Sequence, residues 1–140
     1  MADQMNRPLD HAGLAVLSLA ECLRLVESQP VGRVAFAQAG EIEIFPVNHC
    51  VIDDTIVFRT GEGSKLEAAA NAAVVAFEVD AYTTSPREGW SVVVKGRAEL
   101  VTDDATLTRL WASGLRPWAA ATARPDWIVI RANEISGRRL

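Results

Sequence analysis

Apolar positions along the chain recur first with a helical period and then, beyond Pro30, with a period of two. Apolar residues at i, i+3, i+4 and i+7 form one stripe, which predicts a helix: Leu19, Cys22, Leu23 and Val26. This helix begins at Ser18, because Ser18 and Glu21 have the spacing of a capping box, and it ends before Pro30. Residues 1–17 show no clear period, so we expect an N-terminal arm followed by one domain over 18–140.

Alternation of apolar and polar residues predicts six strands after this helix. Their predicted ranges are 31–38, 41–52, 55–60, 73–80, 89–101 and 126–135. Turns are expected at Ala39-Gly40 and at Asp53-Asp54, because these residue types are typical of tight turns. Pro46 cannot donate to a ladder and predicts an edge or a bulge, while Gly96 predicts a bend.

Two further short helices are expected, and both begin at capping residues. One starts at Ser64 and reaches about residue 72, and the other follows Thr102-Asp103-Asp104 and reaches about residue 113. A polar loop is predicted at 81–88 and a longer loop at 114–125. Because strands and helices do not alternate, the pattern favours a mainly β fold of hairpin-linked strands that close on themselves, rather than a doubly wound parallel sheet.

Composition is that of an ordinary globular domain and excludes several classes of partner. Of the 140 residues, 49% are hydrophobic and 23% are charged, and 18 acids outnumber 14 bases to give a net charge of −4. Without a basic excess, neither nucleic acid nor an anionic membrane surface is an expected partner. No signal peptide is recognisable and no apolar run reaches the ~18 residues of a membrane span. We therefore expect a soluble, cytoplasmic protein.

Cysteines and histidines are too few and too widely spaced to predict a metal site. Cys22 and Cys50 lack the spacing of a redox or zinc motif, and we expect two buried free thiols. His11 and His49 have no second ligand at metal spacing. His49 follows the polar residue Asn48 in a strand and is a weak candidate for a proton donor, against the alternative of a structural histidine.

The segment 58–65 has the features of an anion site. A strand ends, glycines permit a tight turn and a serine-capped helix begins, so that free amides and the positive helix end face one place. Four side-chain donors fall within seven residues: Arg59, Thr60, Ser64 and Lys65. The alternative is a capped helix after a glycine turn with Arg59 and Lys65 merely solvated, and Glu62 supports that alternative. The spacing is not that of a Walker loop.

Four runs of residues, in this order, resemble the pyridoxamine 5′-phosphate oxidase-like superfamily. They are Pro30–Phe36, Pro46–Asn48, Phe58–Thr60 with Gly63–Lys65, and Gly89–Ala98. The likeness extends from about residue 17 to residue 140, and it is closer to short actinobacterial-type members related to the nitroimidazole-resistance group. Those relatives usually carry a histidine where this chain has Arg59. The arginine-rich C-terminal motifs of true pyridoxamine phosphate oxidases have no clear match here, so vitamin B6 oxidation is not expected.

The resemblance implies a six-stranded split β-barrel that forms a homodimer with two cofactor sites at the subunit interface. It implies that Arg59, Thr60, Ser64 and Lys65 hold the phosphate of FMN. Other contacts implied by the resemblance come from the strand beside the isoalloxazine and from the other subunit: Pro46, Val47 and Asn48 in the first group, Trp90 and Ser91 in the second. Trp90 has the alternative reading of a core residue.

Three functional hypotheses follow. The first is an FMN-dependent oxidoreductase acting on a small organic substrate, with a deazaflavin as the alternative cofactor; its acidic tail would favour basic residues at the cavity mouth. The second is a protein that binds a flavin, haem or pyridoxal phosphate without turnover, and the third is a structural dimer with no ligand. Four residues in or before the long loop are candidates either for a substrate pocket or for packing: Trp111, Arg116, Pro117 and Trp118.

Overall fold

The computed structural model describes residues 8–60, 73–112 and 126–140. The predicted helix at 64–72 and the predicted loop at 114–125 lie outside the described residues. Within them the chain forms seven strands and two helices. In chain order these are β1 (Ala15–Val16), α1 (Leu19–Glu27), β2 (Val31–Gln38), β3 (Glu41–Ile52), β4 (Thr55–Thr60), β5 (Ala73–Thr84), β6 (Arg87–Leu100), α2 (Asp104–Ala112) and β7 (Asp126–Arg139).

All strand pairings are antiparallel, and the sheet closes on itself. The strand order is β1-β7-β4-β3-β2-β5-β6, and β6 also pairs with β7 to complete the ring. The predicted mainly β fold of six barrel strands is confirmed by β2–β7. The two-residue strand β1 was not predicted, because a segment this short carries no alternation; it pairs Ala15 with Arg139 and Val16 with Arg138.

Two tight turns set the register of the first hairpins, as their sequences predicted. Ala39 and Gly40 join β2 to β3 with φ of 51° and 79°, and Asp53 and Asp54 join β3 to β4 with φ of 50° and 60°. Both turns therefore use the left-handed region that two-residue hairpin loops require. Side chains then alternate between the barrel interior and its outer surface.

The loop predicted at 81–88 is instead the tip of a long hairpin. Strand β5 continues to Thr84 and β6 starts at Arg87, with Tyr82 opposite Gly89 in the ladder. This tip projects beyond the core, and Tyr82 is 76% exposed. Because both faces of this tip carry polar residues, its sequence lacks the alternation of apolar and polar residues that identifies a half-buried strand. The last strand is also longer than the predicted 126–135.

The barrel interior holds one apolar core, and α1 covers it at one end. Phe58 and Phe77 are fully buried there, together with Cys22 and Val26 from the helix. Ser18 caps α1 as predicted, since its Oγ accepts a hydrogen bond from the Glu21 amide at 3.3 Å. The predicted apolar stripe is wrong at Leu19, which is 59% exposed.

A second, smaller cluster lies outside the barrel, between α2 and the outer face of β4 and β7. It consists of Val57, Leu110, Trp127 and Val129. Helix α2 begins as predicted, because the Asp103 carboxylate accepts a hydrogen bond from the Thr106 amide at 2.7 Å. An ion pair between Arg109 and Asp53 joins the helix to the β3–β4 turn.

The two positions that the sequence singled out as strand irregularities are both irregular. The β6–β7 register shifts between Lys95 and Gly96, where a Cβ on Gly96 would lie 2.1 Å from the Arg131 carbonyl oxygen. Pro46 pairs with Arg33 on β2, whereas β4 pairs with β3 only from His49 onward. Among the described residues, β3 has a partner at Pro46 on the β2 side alone, as the predicted edge requires.

Candidate functional site

Arg59 lies at the end of β4 and is buried against two tryptophans. The guanidinium carbon is 4.5 Å from the ring centroid of Trp111 and 4.9 Å from that of Trp127, and the residue is only 6% exposed. The two rings are nearly perpendicular, at 79°, so Arg59 occupies the angle between them. The sequence had predicted that Arg59 holds a phosphate, with a merely solvated arginine as the alternative, and the burial of Arg59 contradicts that alternative. The stacking instead fixes the guanidinium against the protein.

Asn48 lies beside Arg59 on the neighbouring strand. His49 pairs with Phe58, so Asn48 and Arg59 are the next residues beyond that last registered pair. Asn48 is buried, and its Nδ2 donates to the Pro30 carbonyl at 3.2 Å. Its Oδ1 has no hydrogen-bond partner in the described part of the chain. A buried acceptor of this kind carries a desolvation cost until a donor meets it.

His49 lies on the other face of β3, inside the barrel. Its ring contacts Phe77 edge to face, and Nε2 donates to the carbonyl oxygen of Val26 at 2.7 Å. Burial lowers the pKa of the imidazole, although the hydrogen bond to Val26 partly opposes this. Side chains alternate along a strand, so the imidazole and the Asn48 amide project on opposite sides. The position of His49 therefore gives no support to its predicted role as a proton donor near Asn48.

The side chains of Pro46 and Val47 also project on opposite sides of β3. Val47 is buried in the barrel core, so only its backbone is available to a ligand outside, which is the kind of contact that the resemblance implies. Pro46 is exposed on the outer face. For Thr60 the structure describes the backbone alone, opposite Asp126. Ser64 and Lys65 lie outside the described residues, as do Arg116, Pro117 and Trp118.

Trp90 and Ser91 line a pocket of about 230 Å³ where the β5–β6 hairpin meets the C-terminal end of β7. Its wall also includes Tyr82 and Arg138, which are residues that the sequence did not single out. Arg138 is held by the N-terminal arm, because its Nε donates to the Asp10 carboxylate at 3.0 Å. Hydrogen bonds from the amides of residues 14 and 12 and the contact with Arg138 lower the pKa of Asp10, against the effect of burial.

The two halves of the predicted cofactor site lie near opposite ends of β7. Arg59 pairs with Trp127 at the start of β7, whereas Ser91 pairs with Arg138, eleven residues further along the same strand. At about 3.3 Å per residue, these positions are separated by roughly 36 Å along the strand.

Part of the outer face of the barrel is apolar and exposed. Ile42 and Ile44 on β3 are 79% and 63% exposed, and Val74 on β5 is 65% exposed. They flank Ala35 and Ala37 of β2, because Ala37 pairs with Ile42 and Ala35 with Ile44. An apolar surface of this kind on a sheet is typical of a protein–protein interface.

A small charged cluster lies on the same outer face. The Arg33 guanidinium is 3.5 Å from both the Glu78 and the Asp80 carboxylates. Partial burial and the neighbouring Asp80 raise the pKa of Glu78 to about 7, although Arg33 acts in the opposite direction. These two carboxylates therefore share one arginine, and Glu78 holds its proton up to about neutral pH.

Other classes of site find no support in the described residues. Within 8–60, 73–112 and 126–140, no three side chains of histidine, cysteine, aspartate or glutamate come together as a metal ion would require. Over those ranges, no helix is long and apolar enough to cross a membrane. Cys22 is a buried free thiol, whereas Cys50 is only half-buried.

Comparison with known proteins relates this architecture to one family. A model of the pyridoxamine 5′-phosphate oxidase family matches residues 18–139. An uncharacterized protein of Mycobacterium tuberculosis is 39% identical over 125 residues, which is 86% of this chain and 81% of that protein. The FAD-binding protein of Mycobacterium smegmatis has 36% identity and a TM-score of 0.79, over 90% of this chain and 99% of its own. An FAD-binding protein of Mesorhizobium loti has 27% identity and a TM-score of 0.72, over 90% and 96%.

Proposed function

This chain belongs to the pyridoxamine 5′-phosphate oxidase family, as its motifs predicted, and from that premise we propose that it is a homodimeric flavin-binding oxidoreductase. Its substrate would be a small organic molecule. The observation that carries the proposal is the position of Asn48 and Arg59 near one end of β7 and of Trp90 and Ser91 near its other end. A two-fold dimer would bring the first half from one protomer to the second half from its partner.

The residues at the first half fit a flavin. Asn48 Oδ1 is a buried acceptor that lacks a donor in the described residues, and the polar edge of an isoalloxazine carries an imide N–H. Arg59 is the adjacent cation and would lie near the phosphate, together with Thr60, Ser64 and Lys65. A bound flavin supplies the hydride and electron chemistry, so the protein needs only to position it and exclude water.

The apolar outer face is the proposed dimer contact. Ile42, Ile44 and Val74 expose large side chains on adjoining strands, and their burial against a second copy would be favourable at roughly 25 cal/mol per Å². Arg33, between Glu78 and Asp80, would provide polar contacts within that face. This assignment places the interface beside β3, which also carries Asn48 at its other end.

The cofactor class is a flavin, and its exact form is a separate question. The sequence predicted FMN with a deazaflavin as the alternative, and the relatives from M. smegmatis and M. loti are FAD-binding proteins. All of these molecules carry a phosphate at the end of the ribityl chain that is attached to their tricyclic ring, so the cluster of donors around Arg59 suits each of them.

One observation favours the alternative of a flavin carrier without turnover. His49, the histidine closest in sequence to the proposed ring site, faces the barrel interior and is tied to Val26. The flavin would then lack a histidine proton donor from β3. Reduction of the bound flavin by NADPH or a reductase, followed by reoxidation with an organic acceptor, would indicate the enzyme. Tight binding without such cycling would indicate the carrier.

Cofactor binding is tested first by the visible spectrum of the purified protein and by mass spectrometry of what denaturation releases. Asn48→Ser should weaken flavin binding, because it removes the Oδ1 acceptor. Asn133→Ser is the matched control, since Asn133 is an exposed asparagine at the β7 irregularity. Equal flavin affinity in both variants, at unchanged thermal stability, would exclude Asn48 from the site. A protein that takes up no flavin would refute the proposed function.

The shared site is tested by subunit complementation. Arg59→Met damages one half of the site and Ser91→Trp fills the pocket that forms the other half. Each variant alone should bind little flavin. Refolding the two together gives mixed dimers in which one of the two sites is intact, so about a quarter of all sites should recover. No recovery, with dimers present by sedimentation, would show that both halves act within one chain or that one of them is misassigned.

A further inference from the structure

Trp111 is a large aromatic residue that the fold leaves half exposed, although it is rigidly held. It lies in the last turn of α2 and is 52% exposed, whereas the preceding Leu110 is buried at 2%. One ring face is covered by the Arg59 guanidinium at 4.5 Å, and its edge meets Trp127 at a centroid distance of 6.2 Å. With one face covered, the exposed half of the side chain is chiefly the opposite face of the indole.

Helix α2 does not need this ring for its own attachment. Leu107 and Leu110 pack into the cluster with Val57 and Val129, and Arg109 pairs with Asp53. An indole with one face held against the protein and the other face exposed can serve as a stacking platform. Because the side chain is already fixed, it loses little further conformational entropy when a ligand ring covers the exposed face. Aromatic rings of nucleobases stack on such platforms, each stack contributing about 1–3 kcal/mol.

The position of the platform selects among flavins. Arg59 is the residue proposed to meet the flavin phosphate, and Trp111 stacks directly on it. In FMN and in a deazaflavin, no purine follows the phosphate. In FAD a second phosphate links the first one to adenosine. Of these three cofactors, FAD alone therefore has an aromatic base that can lie beside Arg59.

We propose that the exposed face of Trp111 binds the adenine of a flavin dinucleotide, and therefore that the cofactor of this chain is FAD. This inference rests on the proposed flavin site at Asn48 and Arg59. The FAD-binding relatives agree with it, although their similarity does not assign a role to Trp111. The residue is a specificity determinant for the cofactor rather than a catalytic residue, because it acts on the part of FAD that is remote from the isoalloxazine.

The experiment compares FAD and FMN affinities of the apo protein, by quenching of flavin fluorescence or calorimetry, in the wild type and in Trp111→Leu. We expect the wild type to bind FAD roughly 10- to 100-fold more tightly than FMN. Trp111→Leu should abolish that preference, because the FAD affinity falls about 10- to 100-fold more than the FMN affinity, and Trp111→Phe should keep part of the preference. Leu19→Ala, which alters an apolar residue of α1 that is 59% exposed, is the control and should change neither affinity.

Each other outcome overturns the inference in a recognisable way. Equal losses of FAD and FMN affinity in Trp111→Leu would mean that the indole only positions Arg59, and the flavin site would stand without an adenine platform. No preference for FAD in the wild type would also refute the platform. Absence of binding by either flavin would refute the proposed function itself. If the leucine variant does not fold, competition in the wild type decides: ADP should displace FAD at a much lower concentration than inorganic pyrophosphate, which lacks the adenine, and equal competition by the two would refute the platform.

Discussion

Replacing Arg59 by methionine tests whether the two tryptophans hold the arginine by its charge. Methionine keeps an unbranched apolar stem, so the substitution removes mainly the guanidinium that lies 4.5 Å and 4.9 Å from the two ring centroids. A desolvated cation–π contact contributes up to about 2 kcal/mol, and two contacts give a gross effect of about 2–4 kcal/mol. Release of a buried charge into water offsets part of this, although a guanidinium is weakly hydrated. We expect Arg59→Met to lower the free energy of unfolding by about 1–2 kcal/mol.

Urea unfolding followed by tryptophan fluorescence measures this loss, with Trp111 and Trp127 as reporters close to the substitution. Arg131→Met is the matched control, because Arg131 is an exposed arginine paired with Glu99 at 3.2 Å. A surface pair of this kind contributes little, so the control should stay within about 0.5 kcal/mol of the wild type. A Trp111→Leu cycle with Arg59→Met should show coupling between the two residues.

The result that would refute this reasoning is a stability of Arg59→Met within about 0.5 kcal/mol of the wild type. The stacked arrangement would then have no net energetic value, and the burial of Arg59 would reflect packing of its stem alone. A loss of flavin affinity in the same stable variant would still support its proposed role at the phosphate, so stability and binding are measured separately.

Three further predictions concern the barrel. Gly96→Ala should lower the free energy of unfolding by ~3 kcal/mol, because its Cβ would meet the Arg131 carbonyl oxygen at 2.1 Å. Gly40→Ala, which has open space around the new Cβ at φ +79°, should lower it by only ~1 kcal/mol. Equal shifts of the melting temperature in the two variants would contradict this. The raised pKa of Glu78 means that the folded state holds its proton up to about pH 7, so the free energy of unfolding should fall as the pH rises from 4.5 to about 7. This decline is expected to be below ~1 kcal/mol, because the site is partly exposed. Glu78→Gln should remove it, and an unchanged dependence of stability on pH in that variant would exclude Glu78 as its source. The lowered pKa of His49 has the opposite sign: stability should fall as the pH drops below 6.5, because the unfolded chain takes up the proton first, and His49→Gln should weaken this acid sensitivity in urea titrations.

Local chemistry accounts for the parts of the fold that could be predicted. The turn at Ala39-Gly40 follows from the preferences of its own residues, and the cap at Ser18 depends on a side chain and an amide three residues apart. Alternation gave the ranges of β2, β3 and β4, because one side of each faces the barrel core. The hairpin tip around Tyr82 was missed, since both of its faces are polar or exposed and no core imposes a period.

The candidate site could be predicted only as a set of residues. Asn48 and Arg59 were singled out by motif, and their neighbouring positions follow from the β3–β4 register, which a hairpin sequence nearly determines. The inward direction of His49 could not be predicted, because β3 is covered on both sides at that point: Val47 and Val51 pack in the core, while Cys50 packs under α2. A strand with two apolar faces has no pattern that marks which side is inside.

The sequence by itself determined the class of the fold, its turns and caps, and the family to which the chain belongs, because these depend on local spacing and on ordered motifs. Only the tertiary structure decided that Arg59 is buried between Trp111 and Trp127, and that Trp90 and Ser91 lie at the far end of β7. The physical reason is that these contacts join residues more than forty positions apart in sequence. Their distances are set by how the barrel closes, and no local pattern carries that information.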